Sequence, residues 1–248
     1  MPISLIALLA MNFVIILISI YFGIFVYRTR EWDEETKRRP RSFISNAFFR
    51  EFWYFLIGPM KRQLIRWNVR PNTITIIGFF FSLFAGFSFA VGEFGLGGWL
   101  VIFSGTCDVY DGMLARQQNV CRKSGAFLDS ALDRVGEVAI FYGLARYLRA
   151  DDFWFAIIFL AFASSQVVSY SRARAEGLGF KGQQGFFQRA ERMIILSIFL
   201  PFAPAVEHYW QLGDPLVKIV VTIISMGSFL TAVSRTFGIF REIRATET

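Results

Sequence analysis

Runs of about twenty apolar residues recur along most of this chain, and nothing else in it restricts the fold as strongly. Such a run matches the hydrocarbon thickness of a bilayer, where backbone polar groups find no water and must be satisfied within a helix. Hydrophobic residues make up 54% of the chain, 30 of them phenylalanine, and the mean hydropathy is positive. The chain is therefore predicted to be an all-α polytopic membrane protein with one membrane domain.

Seven spans are expected. The first covers residues 2–26; it lacks a basic leader and is too long for a cleaved signal, so it reads as a retained anchor. The second opens at Pro71-Asn72-Thr73-Ile74-Thr75, with Asn72 or Thr73 as N-cap, and runs to about Val91. A glycine-rich turn, Gly92 to Gly98, leads into a helix ending near Cys121. The remaining spans are expected over Gly125–Tyr147, Phe153–Ser171, Met193–Val206 and Leu216–Phe237.

Between the first two spans, Tyr27 to Arg70 carries eleven Lys or Arg against five acids. Its second half has helical periodicity. Phe49, Trp53, Leu56, Met60, Leu64 and Trp67 share one face, and Glu51, Gly58, Lys61, Arg62 and Arg66 lie towards the other. An interfacial amphipathic helix, kinked or divided at Pro59, is the expected structure. The chain then divides into a transmembrane helix (1–28), a basic linker with the interfacial helix (29–70), a six-helix membrane domain (71–240) and a tail (241–248).

The net charge of +7 lies between the apolar runs instead of in one soluble block, which fits a membrane surface and argues against nucleic acid. Eleven basic residues fall in 27–70, three in 116–123, five in 172–192 and three in 235–244, whereas the opposite loops hold Arg146, Arg149 and Lys218. The positive-inside rule puts the amino terminus outside and the carboxyl terminus in the cytoplasm of a cytoplasmic-membrane protein. Cys107 and Cys121 are too few for a disulfide framework, and the single histidine, His208, lies far from the acids. No nucleophile-elbow or P-loop pattern is present.

Against that background the stretch from Asp108 to Asp133 stands out. On a helix, Asp108, Asp111, Gly112, Ala115 and Arg116 fall within about 140° of one another. Gly125, Asp129, Asp133 and Gly136 make a second stripe after a short link. Two such helices can bring four carboxylates to one point, where mutual repulsion calls for a counter-charge. Magnesium or manganese suits a carboxylate cluster of this kind. Gly112 and Ala115 leave one stripe bare for a ligand, and Arg116 offers a fork of donors suited to a diphosphate.

The pattern D-x2-D-G-x2-A-R-x8-G-x3-D-x3-D, complete at Asp108, Asp111, Gly112, Ala115, Arg116, Gly125, Asp129 and Asp133, resembles the signature of the CDP-alcohol phosphotransferases. The resemblance covers roughly residues 68–240 and implies a six-helix core, in agreement with the span count. It implies that Asp108, Asp111 and Asp129 hold one or two divalent ions (Mg2+ or Mn2+) against the diphosphate of a CDP-lipid. Asp133 would lie near the second ion and act as general base. Gly112, Ala115 and Gly125 would make room for the cytidine end, Arg116 would contact phosphate, and Asn72 and Thr75 are further CDP-lipid candidates.

Gly125 to Arg134, Ser169-Tyr170-Ser171-Arg172-Ala173-Arg174-Ala175-Glu176 and Arg189-Ala190-Glu191-Arg192 resemble the phosphatidylinositol-phosphate synthase branch of that family. That branch transfers a phosphatidyl group from CDP-diacylglycerol to inositol phosphate and releases CMP. The resemblance assigns the acceptor's phosphate to Arg172, Arg192 and Arg235, and implies a homodimer. Two positions depart from the branch: Arg172 stands where lysine is usual, and Gln188 replaces the first glutamate of E-R-x-E-R. Glycerol phosphate or another polyol phosphate is the alternative acceptor. Serine is disfavoured by the continuation Arg134-Val135-Gly136-Glu137. A cation-coupled transporter is the remote alternative, since transport favours acids at mid-membrane on several helices.

Overall fold

The computed structural model describes residues 3–27, 47–180 and 185–247, so most of the basic linker and residues 181–184 lie outside the described residues. Among the described residues every regular element is helical. In chain order these are α1 (Ile3–Tyr21), α2 (Ala47–Arg66), α3 (Pro71–Ala90), α4 (Phe94–Gln117), α5 (Lys123–Tyr147), α6 (Asp152–Gly177), α7 (Arg189–Phe199), α8 (Ala203–Trp210) and α9 (Pro215–Glu247). Among the described residues five segments are long and apolar enough to cross a membrane: Leu8–Val26, α3, α6, Arg189–Trp210 and α9. The other two expected spans, α4 and α5, carry the acids and arginines of the motif, which lower their hydropathy. The side chains left uncovered on the apolar helices, such as Phe13, Phe84, Phe159 and Phe229, are those that a bilayer would cover. The chain is an integral membrane protein.

The chain forms two compact units, Met1–Ile77 with Thr106–Asp129, and Gly78–Gly105 with Ser130–Thr248. In the first, α1 ends in a π-turn over Phe22–Val26. Phe22 is fully enclosed there, its ring 5.8, 5.6 and 5.2 Å from those of Phe48, Phe52 and Phe55 on α2. Tilted aromatic contacts of this kind fasten the extra helix to α2. The expected faces of α2 are partly corrected. Glu51 is buried beside Phe52, Tyr54 and Ile57, whereas Met60 and Trp67 stand out at 52% and 65% exposure. The side chain of Phe49 lies outside the described residues. Pro59 sits within an undivided helix instead of splitting it. Asn68, in the left-handed region (φ 50°), closes the helix through Val69 N to Leu64 O at 3.1 Å. Pro71 then occupies the first helical position of α3, so Asn72 and Thr73 lie inside the first turn and not at the expected cap. Two hydrogen bonds tie α2 and its following turn to α4: Tyr110 Oη to Ile57 O at 3.0 Å and Gln118 Nε2 to Val69 O at 2.9 Å.

In the second unit the expected turn over Gly92–Gly98 shrinks to Val91–Glu93, and α4 begins at Phe94. Gly97 and Gly98 are helical because space requires them: a Cβ would strike the Phe89 ring at one and Pro201 at the other. The end of α4 also comes earlier than Cys121, at Gln117, where Asn119 turns the chain with φ 55°. α3 and α5 approach backbone to backbone, Gly86 and Gly143 each lying against the other segment with no space for a side chain. Asp151 caps α6, its Oδ1 accepting from Phe153 N at 3.0 Å and Trp154 N at 3.3 Å. The span expected over Met193–Val206 starts earlier, at Arg189, and a 3-10 turn at Leu200–Phe202 divides it before α8. α9 continues past the expected end at Phe237 to Glu247 and packs along α6.

Candidate active site

The first motif half falls on the last three turns of α4 and the second on the first half of α5, as helical spacing requires. Asp108 and Asp129, both half-buried in the first unit, offer oxygens within 4.8 Å of one another. Asp133, one turn beyond Asp129 on the same helix, keeps an oxygen within that distance of it. Oxygens on either side of one hard cation, bonded at about 2.1–2.4 Å, are separated by about 4.2–4.8 Å, so this donor set fits a divalent metal.

Asp111 is held differently. It is buried, and Thr75 Oγ1 on α3 donates to its Oδ2 at 2.7 Å. A carboxylate withdrawn from water requires such a donor. Thr75 thus bears on the acids directly, a pairing the sequence reading does not contain. Asn72 stands at the start of α3 beside Gly125, where a Cβ would come within 3.3 Å of Asn72 Oδ1. The guanidinium of Arg116, an exposed side chain, lies near Gly112, and a Cβ at that glycine would be 3.3 Å from Arg116 Nη1. Ala115 is half-buried on the same stretch.

In the second unit, α5 faces the start of α7 through two ion pairs. Asp133 Oδ1 meets Arg189 Nη2 at 2.8 Å, with side chains 18% and 17% exposed. One turn further in, Glu137 Oε1 accepts a 2.8 Å hydrogen bond from Arg192 Nε and lies 2.6 Å from its Nη2 as an ion pair; both side chains are fully enclosed, and Nη1 and Nη2 have no hydrogen-bond partner among the described residues. Arg134 adds a 3.5 Å contact to Glu137 Oε2 and donates to Ser169 Oγ. The three arginines expected to face an acceptor are therefore in different states. Arg172 is exposed and paired with its own helix through Glu176 at 2.8 Å. Arg192 is enclosed and engaged by Glu137. Arg235 is buried, with Nη1 donating to Val168 O at 2.7 Å, while Nε and Nη2 have no hydrogen-bond partner among the described residues.

The model of the CDP-alcohol phosphatidyltransferase family matches residues 68–233, about two thirds of the chain and all of both motif halves. The chain belongs to this family. This CDP-alcohol phosphatidyltransferase is 33% identical over 202 residues to the phosphatidylinositol phosphate synthase of Streptomyces avermitilis, spanning 79% of this chain and 83% of that protein. It is 32% identical over 204 residues to the synonymous protein of Mycobacterium bovis, spanning 78% and 88%. Among solved structures it resembles the Mycobacterium tuberculosis phosphatidylinositol phosphate synthase with CDP-DAG bound, with a TM-score of 0.64 and 30% identity over 73% of this chain and 92% of that one. The same protein in complex with manganese and citrate gives a TM-score of 0.65 over 73% and 88%.

The phosphatidyltransferase match begins at residue 68, so α1 and α2 precede it. Two site features escape the motif. Glu137 extends the i+4 series Asp129, Asp133, and its position on that acidic stripe is the signal that would have found it. Arg189 lies three residues before Arg192 on one helical face, so the same periodicity brings it opposite α5.

Proposed function

We propose that this phosphatidyltransferase moves the phosphatidyl group of CDP-diacylglycerol to a hydroxyl of inositol phosphate and releases CMP, at a site open to the cytoplasm. The reaction belongs to the 71–240 membrane domain; 1–28, 29–70 and 241–248 are its anchor, linker with interfacial helix, and tail. The convergence of carboxylate oxygens from α4 and α5 carries the reading. The names of the most similar relatives support inositol phosphate as acceptor. The basic excess at 116–123 and 172–192 supports the cytoplasmic face. The homodimer implied by the family is part of the same proposal.

Asp108, Asp111, Asp129 and Asp133 would hold Mg2+ or Mn2+, as the manganese complex of the tuberculosis protein supports. When bound, such an ion neutralises the diphosphate and polarises the phosphorus under attack. Thr75 fixes Asp111 through its hydroxyl and keeps it from rotating away. Arg116 takes phosphate oxygens with its fork, Gly112, Ala115 and Gly125 make room for the cytidine end, and Asn72, beside Gly125, is a further contact for the CDP-lipid. Asp133 accepts the proton of the acceptor hydroxyl as that oxygen bonds to the phosphatidyl phosphorus. The bond from that phosphorus to the CMP oxygen breaks in the same displacement. Positioning and charge supply the catalysis, and no covalent nucleophile is needed. Arg172 and Arg235, joined by Arg192 where Glu137 releases it, receive the acceptor's phosphate.

A CMP-release assay on purified protein with CDP-diacylglycerol tests this reading. Turnover is expected with inositol phosphate and not with serine or free inositol. Equal or better turnover with glycerol phosphate would move the chain to the alternative acceptor.

A further inference from the structure

α4 presents two faces, and only one of them carries the acid motif. On a helix advancing about 100° per residue, Asp108, Asp111, Gly112, Ala115 and Arg116 make one stripe. Tyr110, Leu114 and Gln118, each four residues from the next, make another, centred about 130° away. Gln118 N donates to Leu114 O at 2.9 Å, so the turn continues past the end of α4 at Gln117. This second stripe is fastened to α2 and to the turn that follows it. Tyr110 Oη donates to Ile57 O at 3.0 Å, and Gln118 Nε2 donates to Val69 O at 2.9 Å. Tyr110 is 8% exposed and Ile57 5%, so the first bond is made away from water, where a hydroxyl needs a partner. Both bonds belong to the same compact unit as Asp108, Asp111 and Thr75. Ile57 precedes residue 68, where the match to the family model begins, and Tyr110 occupies an unfixed position of D-x2-D. The family signature therefore accounts for neither partner.

We propose that Tyr110 is a positioning residue for the metal acids. Through Ile57 O it sets the rotation of α4 about its own axis, and so the direction in which Asp108 and Asp111 face. The inference rests on the shared-metal reading above. Thr75 holds Asp111 from the acid side, and Tyr110 holds the helix from the other. Side chains reach about 5–6 Å from a helix axis, so a rotation of about 10° carries a carboxylate by about 1 Å. A hard cation with short bonds to oxygen registers a displacement of that size. The ring of Tyr110 fills space, but apolar packing has no preferred direction; the hydroxyl, through a directional bond, fixes the angle. Gln118 repeats the restraint two turns on, at a half-buried position. α2 is thereby part of the frame of the catalytic unit, although it lies before the family match.

Tyr110→Phe keeps the ring and removes the donor. The full-length protein in detergent, stripped with chelator, is titrated with Mn2+ by electron paramagnetic resonance at a temperature well below its melting point. Tyr110→Phe is expected to weaken Mn2+ binding by about threefold to tenfold, the scale of one hydrogen bond. In CMP release the variant should lose turnover at low Mn2+ and recover most of it at saturating Mn2+. There its KM for CDP-diacylglycerol should stay within about twofold of wild type. A role confined to stability would lower the melting temperature and leave the Mn2+ affinity as it is. Wild-type Mn2+ affinity in folded Tyr110→Phe, whatever its melting temperature, would therefore overturn the proposal. Should Tyr110→Phe fail to fold, Gln118→Met removes the second donor and is expected to weaken Mn2+ binding by about twofold or more; unchanged affinity there would overturn it equally. Wild-type protein that binds no Mn2+ would refute the shared metal and this assignment together. Mn2+ binding that is equal in wild type and Tyr110→Phe would refute the assignment alone.

Discussion

Thr75 Oγ1 on α3 donates a 2.7 Å hydrogen bond to Asp111 Oδ2 on α4, joining the first turn of one helix to the acid motif 36 residues later. Both side chains are buried, Asp111 at 7% exposure, so this bond is part of what allows a carboxylate to remain at that position.

Replacing Thr75 by valine keeps the shape and removes the donor. A buried acceptor left without its partner costs about 1–3 kcal/mol, and an acid that is free to turn no longer presents the same oxygen to its ligand. Thr75→Val is expected to lower CMP release by one to two orders of magnitude, on the scale of a lost positioning contact, while Thr75→Ser retains most of it. Steady-state assays of the two variants side by side check this; equal losses in both would show that the methyl group matters and the hydroxyl does not.

The inner pair, Glu137 with Arg192, has a different expected signature. Breaking a fully enclosed ion pair from one side typically destabilises by about 3–5 kcal/mol, whereas removing both partners together is far less harmful. Glu137→Gln and Arg192→Met should each lower the melting temperature in detergent, and the double variant should recover much of the loss. A double variant as unstable as the sum of the two singles would mean that the residues act independently.

These two cases show what was legible in the chain. Helical spacing alone groups Asp108 with Asp111 and Asp129 with Asp133; Asp108 and Asp129 do bring oxygens within 4.8 Å of one another, whereas Asp111 is bound to Thr75. Five of the seven expected spans followed from run length among the described residues. The bond from Thr75 to Asp111 could not be read, since it depends on how α3 packs on α4 and no periodicity spans that separation. Glu51 misled for a related reason: amphipathic spacing sets charge against the apolar face, but the face of α2 that is covered runs through Glu51, Phe52 and Tyr54. The glycines of 92–98 read as a turn because glycine is common in turns; here Gly97 and Gly98 answer to close packing within a helix. Arg192 matched its branch motif, yet its engagement by Glu137 depends on burial that one sequence does not display.

Asp133 separates binding from chemistry. Asp133→Asn keeps the size of the side chain and its reach towards Arg189, but removes the proton acceptor. CDP-diacylglycerol binding is expected to persist within a few-fold while turnover falls by about 10²–10⁴, the usual contribution of a general base. Equilibrium binding of the lipid substrate, measured beside CMP release, checks both halves. Undiminished CMP release would remove Asp133 from the role of base.

The central claim is that acids from α4 and α5 share one divalent cation, and titration of Mn2+ followed by electron paramagnetic resonance tests it most directly. Wild-type protein stripped with chelator should bind Mn2+, and Asp108→Asn and Asp129→Asn, one on each helix, should each weaken that binding by at least about tenfold. Mn2+ binding at wild-type strength in both variants would contradict a shared metal and, with it, the site built upon it.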